Sequence, residues 1–116
     1  MMIDRPMSLL ALAVALALAL GPPLAAADEP AKVTVTLKDH KFSPAEPTAP
    51  AGKPILLEVV NQDGTPAEFE SKAFRVEKVI VGGGTVTINL RPLKAGRYRF
   101  FDDYHEATTE GFLVVQ

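Results

Sequence analysis

From residue 32 onward, apolar and polar positions alternate in short runs separated by turn-forming residues. Val33, Val35 and Leu37 fall on one side of the stretch 32–38, and Lys32, Thr34, Thr36 and Lys38 on the other. This is the period-two pattern of a half-buried strand. His40 and Phe42 follow, after which Pro44, Pro47 and Pro50 limit the chain to an edge strand or an irregular connection, because proline cannot donate to a central ladder. Residues 55–60 are apolar except for Glu58, which predicts a central strand covered on both faces for most of its length. Turn formers crowd residues 61–66. In Ala67-Glu68-Phe69-Glu70-Ser71, extended backbone points Phe69 one way and both glutamates the other.

Residues 72–81 read less cleanly, as extended structure around Phe74, Val76 and the run Val79-Ile80-Val81. Gly82-Gly83-Gly84 is a loop between strands, since neither a helix start nor a P-loop lysine follows it. Alternation returns at residues 85–91 with Val86, Ile88 and Leu90 inward. Leu93, Gly96 and Tyr98 then fit a tyrosine corner, in which the tyrosine hydroxyl bonds upstream backbone. Tyr98, Phe100 and Phe101 read as core, and Phe112-Leu113-Val114-Val115 closes the chain. About seven short strands without a convincing helix predict an all-β Greek-key sandwich.

Ahead of these strands, residues 7–20 form an apolar run interrupted only by Ser8, preceded by Arg5 and ended by Gly21-Pro22-Pro23. Ala25-Ala26-Ala27 supplies small residues for a signal peptidase, and the run is short for a membrane span of ~20 residues. Residues 1–27 therefore read as a signal peptide and residues 28–116 as one exported domain. The chain has no Cys to cross-link it and a net charge of −2. The first throws stability onto the core or a bound ion; the second lacks the basic face that nucleic-acid binding requires.

The candidate chemistry lies in two places. Asp102, Asp103, His105, Glu106 and Glu110 fall within nine residues between two apolar strands, and Glu68 and Glu70 share one side of a strand. If these segments meet, their like charges destabilise the fold unless a cation sits among them. Carboxylates with one imidazole suit iron, manganese or Cu(II) rather than soft Cu(I). His105, among so many acids, reads as a ligand. His40 lacks that company and fits a surface or capping role as readily. Glu68 and Glu70 could instead form a solvated face paired with Lys72 or Arg75, and Tyr104 reads as a packing residue, with shielding of the site or electron relay as the alternative.

These residues resemble a family. Asp102-x-x-His105 resembles the C-x-x-H of cupredoxins with Asp in place of Cys; Glu68 stands where the first histidine is expected, and Glu110 about where the methionine falls. The stretches 61–71, 77–84 and 102–106 are similar to cupredoxin-like periplasmic components of bacterial ferrous-iron uptake systems. The resemblance implies a cupredoxin-type sandwich without a blue-copper centre, which needs a thiolate. It also implies binding of iron and/or Cu(II), and assistance in oxidising Fe(II) for an iron permease alongside a periplasmic iron-binding protein. Asp102 and His105 are implied to be critical for oxidation, and Glu68 and Glu70 to be ligands; Asp103 and Glu110 join the candidate metal set as an inference from their neighbours. A ferroxidase-like component and a non-catalytic metal-binding or docking module both remain open.

Overall fold

The computed structural model describes residues 29–116; the expected signal peptide, residues 1–27, lies outside the described residues. Nine strands are described: β1 (Ala31–Lys38), β2 (Lys41–Ser43), β3 (Thr48–Ala49), β4 (Ile55–Asn61), β5 (Ala67–Ser71), β6 (Val76–Ile80), β7 (Thr85–Leu90), β8 (Gly96–Asp102) and β9 (Gly111–Val115). The excess over seven comes from β2 and β3, of three and two residues, too short to leave an alternating signature. The strands form two sheets, ordered β2-β1-β4-β7 and β3-β9-β8-β5-β6. The chain changes sheet repeatedly, so β1 lies parallel to β4, and β5 pairs antiparallel with the distant β8. The proline-rich segment supplies β3, an edge strand.

The facing sides of the sheets make the core. Val33, Val35, Leu37, Ile55, Leu57, Val59, Ile88 and Leu90 come from one sheet, and Ala49, Ala67, Phe69, Ile80, Phe100, Leu113 and Val115 from the other. β4 is central as expected, but only its Ile55-Leu57-Val59-Asn61 side is fully buried. Leu56 and Val60 on the opposite side are half-buried, because its sheet is an outer layer of a two-layer sandwich. Phe69, Phe42 and Phe100 form a mutual aromatic cluster, with the Phe69 centroid 6.1 and 5.4 Å from the other two rings, which lie 4.9 Å from each other. Burying each such side chain contributes ~1.5–3 kcal/mol, so Phe69 anchors the strand that carries Glu68 and Glu70 on its other face. The tyrosine corner is present: Tyr98 donates to the Lys94 carbonyl at 2.7 Å.

Phe101 is buried as expected, at 3% exposure, but outside the main core cluster. Successive strand residues point to opposite faces, and with Phe100 inside, Phe101 lies on the outer face, where the Arg99 guanidinium covers it 4.4 Å from the ring centroid. Buried Asn61 ties the β4 end to the β6–β7 loop by donating to the carbonyls of Thr65, Ile80 and Val81 at 2.8, 3.2 and 3.3 Å. It also accepts from Asp63 N at 3.1 Å. This fixes the loop that leads into β5.

Candidate metal centre

β8 ends at Asp102, and a short 3-10 segment, Asp103–Thr108, leads to β9. Asp102 is 1% exposed, and its carboxylate is bound on both oxygens. Oδ1 accepts from Glu68 N at 2.9 Å and Tyr104 N at 3.0 Å, and Oδ2 faces His105 Nδ1 at 3.2 Å. It thus caps the 3-10 segment, ties it to β5 and orients the imidazole. Thr109 secures the other end of the loop, accepting from Asp102 N at 2.9 Å and donating to the His105 carbonyl at 2.7 Å. His105 itself departs from helical dihedrals (φ −143°, ψ 48°), which breaks the segment at that residue.

The two loops do meet, as the sequence reading required. Their ligating groups gather in two sets, however. Side-chain atoms of His40, Asp102 and His105 all lie within 4.8 Å of one another, and so do those of Glu68, Glu70 and Asp103. Glu68 connects the sets through its backbone bond to Asp102. Neither Glu68 nor Glu70 makes an ion pair with Lys72 or Arg75 among the described residues. Glu70 lies opposite Glu77 in the β5–β6 ladder, and the Glu68 pKa is raised above its ordinary 4.5, first by a hydrogen bond shared with Glu77, then by loss of solvent, then by repulsion from Glu77. The nearby Tyr104 hydroxyl lowers it in part. Tyr104 is 50% exposed and not a packing residue.

Glu110 and Glu106 stand apart from both sets. Arg99 Nε donates to Glu110 at 2.8 Å and its Nη2 to Glu106 at 3.3 Å, drawing both acids to the outer face of β8. The metal-ligand reading of Glu110 therefore finds no support in its geometry: its position in the chain resembles that of the cupredoxin methionine, but an arginine two β8 residues before Phe101 claims its carboxylate.

Two residues of the site carried no clear sequence signal. His40, for which a surface or capping role reads as readily as ligation, stacks on His105 with ring centroids 3.8 Å apart. Asp63 holds the turn that carries it, accepting from Asp39 N at 2.6 Å and His40 N at 3.0 Å. The His40 amide is the first cause of an Asp63 pKa below the ordinary 3.8. The position of Asp63 in a turn-rich loop is compatible with such side-chain-to-backbone bonding, but its partners come from another hairpin.

Two sheets with a histidine–carboxylate group at one end define a cupredoxin-like sandwich carrying a candidate metal site. Residues 8–115 match the family described as a cupredoxin-like domain, and the chain belongs to that family. It is 40% identical over 84 residues to an uncharacterized protein of Rickettsia prowazekii (strain Madrid E), covering 72% of this chain and 67% of the relative. Among solved structures it is similar to the metal-binding domain of the Cu(I)-exporting P-type ATPase CopA of Streptococcus pneumoniae with Cu(I), at a TM-score of 0.65 and 16% identity over 73% of this chain and 84% of that one. Auracyanin A, a blue copper protein of Chloroflexus aurantiacus, gives 0.63 and 16% over 75% and 99%. A purple cupredoxin of Nitrosopumilus maritimus gives 0.55 and 15% over 74% and 99%. At such identities these three share the fold.

The donor set decides which ion suits this chain. With no Cys, and methionines only at positions 1, 2 and 7, a thiolate–thioether blue-copper set does not fit. Imidazole and carboxylate do fit Cu(II) or iron.

Proposed function

We propose that this protein is a periplasmic metal-binding component that binds iron and/or Cu(II) and assists oxidation of Fe(II) for permease-mediated uptake, beside a periplasmic iron-binding protein. The observation that carries the reading is the joining of a buried Asp102, paired with a partly exposed His105, to the Glu68–Glu70–Asp103 carboxylates through one backbone hydrogen bond. His105, with Nδ1 on Asp102, presents its other nitrogen for a cation, an arrangement in which a carboxylate partner orients a ligating ring. Glu68, Glu70 and Asp103 offer hard oxygen donors beside it. A bound transition ion supplies one-electron chemistry. The chain's own contribution is anionic oxygen, which favours Fe(III) over Fe(II) because the higher charge gains more from each carboxylate. The same carboxylates bind protons in competition with the ion, so affinity falls with pH.

The test is calorimetric titration of the purified protein with Fe(II), Cu(II) and Mn(II), run beside oxygen uptake in the presence of Fe(II). The reading expects Fe(II) or Cu(II) to bind and the protein to accelerate oxygen consumption. His105→Ala should remove the acceleration. An unchanged oxidation rate in that variant refutes the catalytic reading. Binding with no effect on rate in the unaltered protein selects the non-catalytic metal-binding or docking module instead.

A further inference from the structure

β1 and β2 are joined by a two-residue turn, with Lys38 paired to Lys41. Its central residues, Asp39 and His40, both have positive φ, 53° and 57°. This is the conformation for which glycine is preferred at the second position, and β-carbon crowding makes it costly for His. Such backbone persists where surrounding contacts over-determine it. Here they do: Asp63 accepts both turn amides, one on each oxygen. The same carboxylate lies 3.6 Å from His40 Nδ1. Asp63 is itself fixed by Asn61 at its amide and by Gly83 N at its carbonyl. The result of this bracing is an imidazole laid on His105.

Each ring has Nδ1 facing a carboxylate, Asp102 at a hydrogen-bonding 3.2 Å from His105 and Asp63 at a longer 3.6 Å from His40. For His105 the hydrogen-bonded carboxylate fixes the tautomer that leaves the other nitrogen free for a cation. Both imidazoles remain more than a third exposed, at 41% and 38%, while their carboxylate partners are largely buried, so an ion arriving from solvent meets the rings first.

We propose that His40 is a second imidazole ligand of the metal centre, supplied by the β1–β2 turn, with Asp63 as its positioning residue. The inference rests on the proposed metal-binding reading and extends it to a ligand from an element that the cupredoxin motif does not use. Imidazole lone pairs lie in the ring plane, so in a stack they run side by side. One cation bound by both rings would require them to tilt out of this stack.

The decisive variant is His40→Gly, because glycine suits the turn and removes only the ring. Cu(II) is the probe, followed by calorimetry, by nitrogen couplings in the electron paramagnetic resonance spectrum, and by the melting temperature without metal. The expected result is an affinity loss at least as large as the roughly 10–100-fold typical of losing an outer partner, one coupled nitrogen fewer, and a metal-free melting temperature equal to or above that of the parent. His40→Asn, whose side chain also tolerates positive φ, should show the same losses. Asp63→Asn should weaken binding by less than either. An unchanged affinity and nitrogen count in His40→Gly, with His105→Ala losing Cu(II), overturns the role of His40 and leaves the metal reading intact. Failure of the unaltered protein to bind Cu(II) or Fe(II) overturns both.

Discussion

Asp102 is where stability and the proposed metal chemistry are most tightly joined, and two substitutions there separate them. In Asp102→Ala, the amides of Glu68 and Tyr104 lose their acceptor and His105 loses its partner. Loss of the capping bond costs ~1 kcal/mol, and each buried donor left unpaired costs ~1–3 kcal/mol. A total of about 2–4 kcal/mol is a large share of the ~5–15 kcal/mol that holds a small domain together, and it should lower the melting temperature by more than about 10 °C. The alanine variant therefore does not isolate a metal role. Asp102→Asn does, because Oδ1 can still accept both amides. Its amide nitrogen, placed where Oδ2 stood, donates to His105 Nδ1 and moves the ring proton to the nitrogen a cation needs. Affinity for Cu(II) should fall about 10–100-fold, or ~1.4–2.7 kcal/mol, with little change in melting temperature. Calorimetry and thermal melts measure the two effects, and nitrogen-15 resonances of the ring report the tautomer. A folded Asp102→Asn protein that binds Cu(II) like the parent, with its ring proton moved, would refute the reasoning.

Other consequences follow from the same geometry. Glu110→Ala should leave metal affinity unchanged and cost no more than ~1 kcal/mol, the usual value of an exposed ion pair; a tenfold loss of affinity by calorimetry (about 1.4 kcal/mol) would return Glu110 to the site. The raised Glu68 pKa means that the folded protein binds a proton more readily than the unfolded chain above pH 4.5, so this pair loses stability as pH rises through the raised value. Glu77→Gln should accordingly raise the melting temperature at pH 7 and lose that advantage below pH 4.5; a gain that grows in acid contradicts the assignment.

Much of this arrangement is legible in short-range pattern. Alternation at residues 32–38 and 85–91 assigns inward faces because side chains on a strand repeat every two positions. The same rule puts Phe69 in the core and Glu68 and Glu70 together outside. The Leu-Gly-Tyr sequence marks a tyrosine corner because it depends on a bond only four residues long. Asp102 and His105, three residues apart, are likewise a local pair.

Tertiary structure decided everything that depends on which strands become neighbours. The acids of residues 102–110 look equivalent in sequence, yet Asp102 turns inward to β5, while Glu106 and Glu110 turn outward to Arg99. The β8–β9 register, pairing Arg99 with Phe112, places the cation beside them. His40 joins His105 only because β1 and β8 belong to facing sheets and Asp63 pins an unfavourable turn. No periodicity encodes such contacts: local pattern specifies the face on which a side chain lies, and the packing of the two sheets specifies what it meets there.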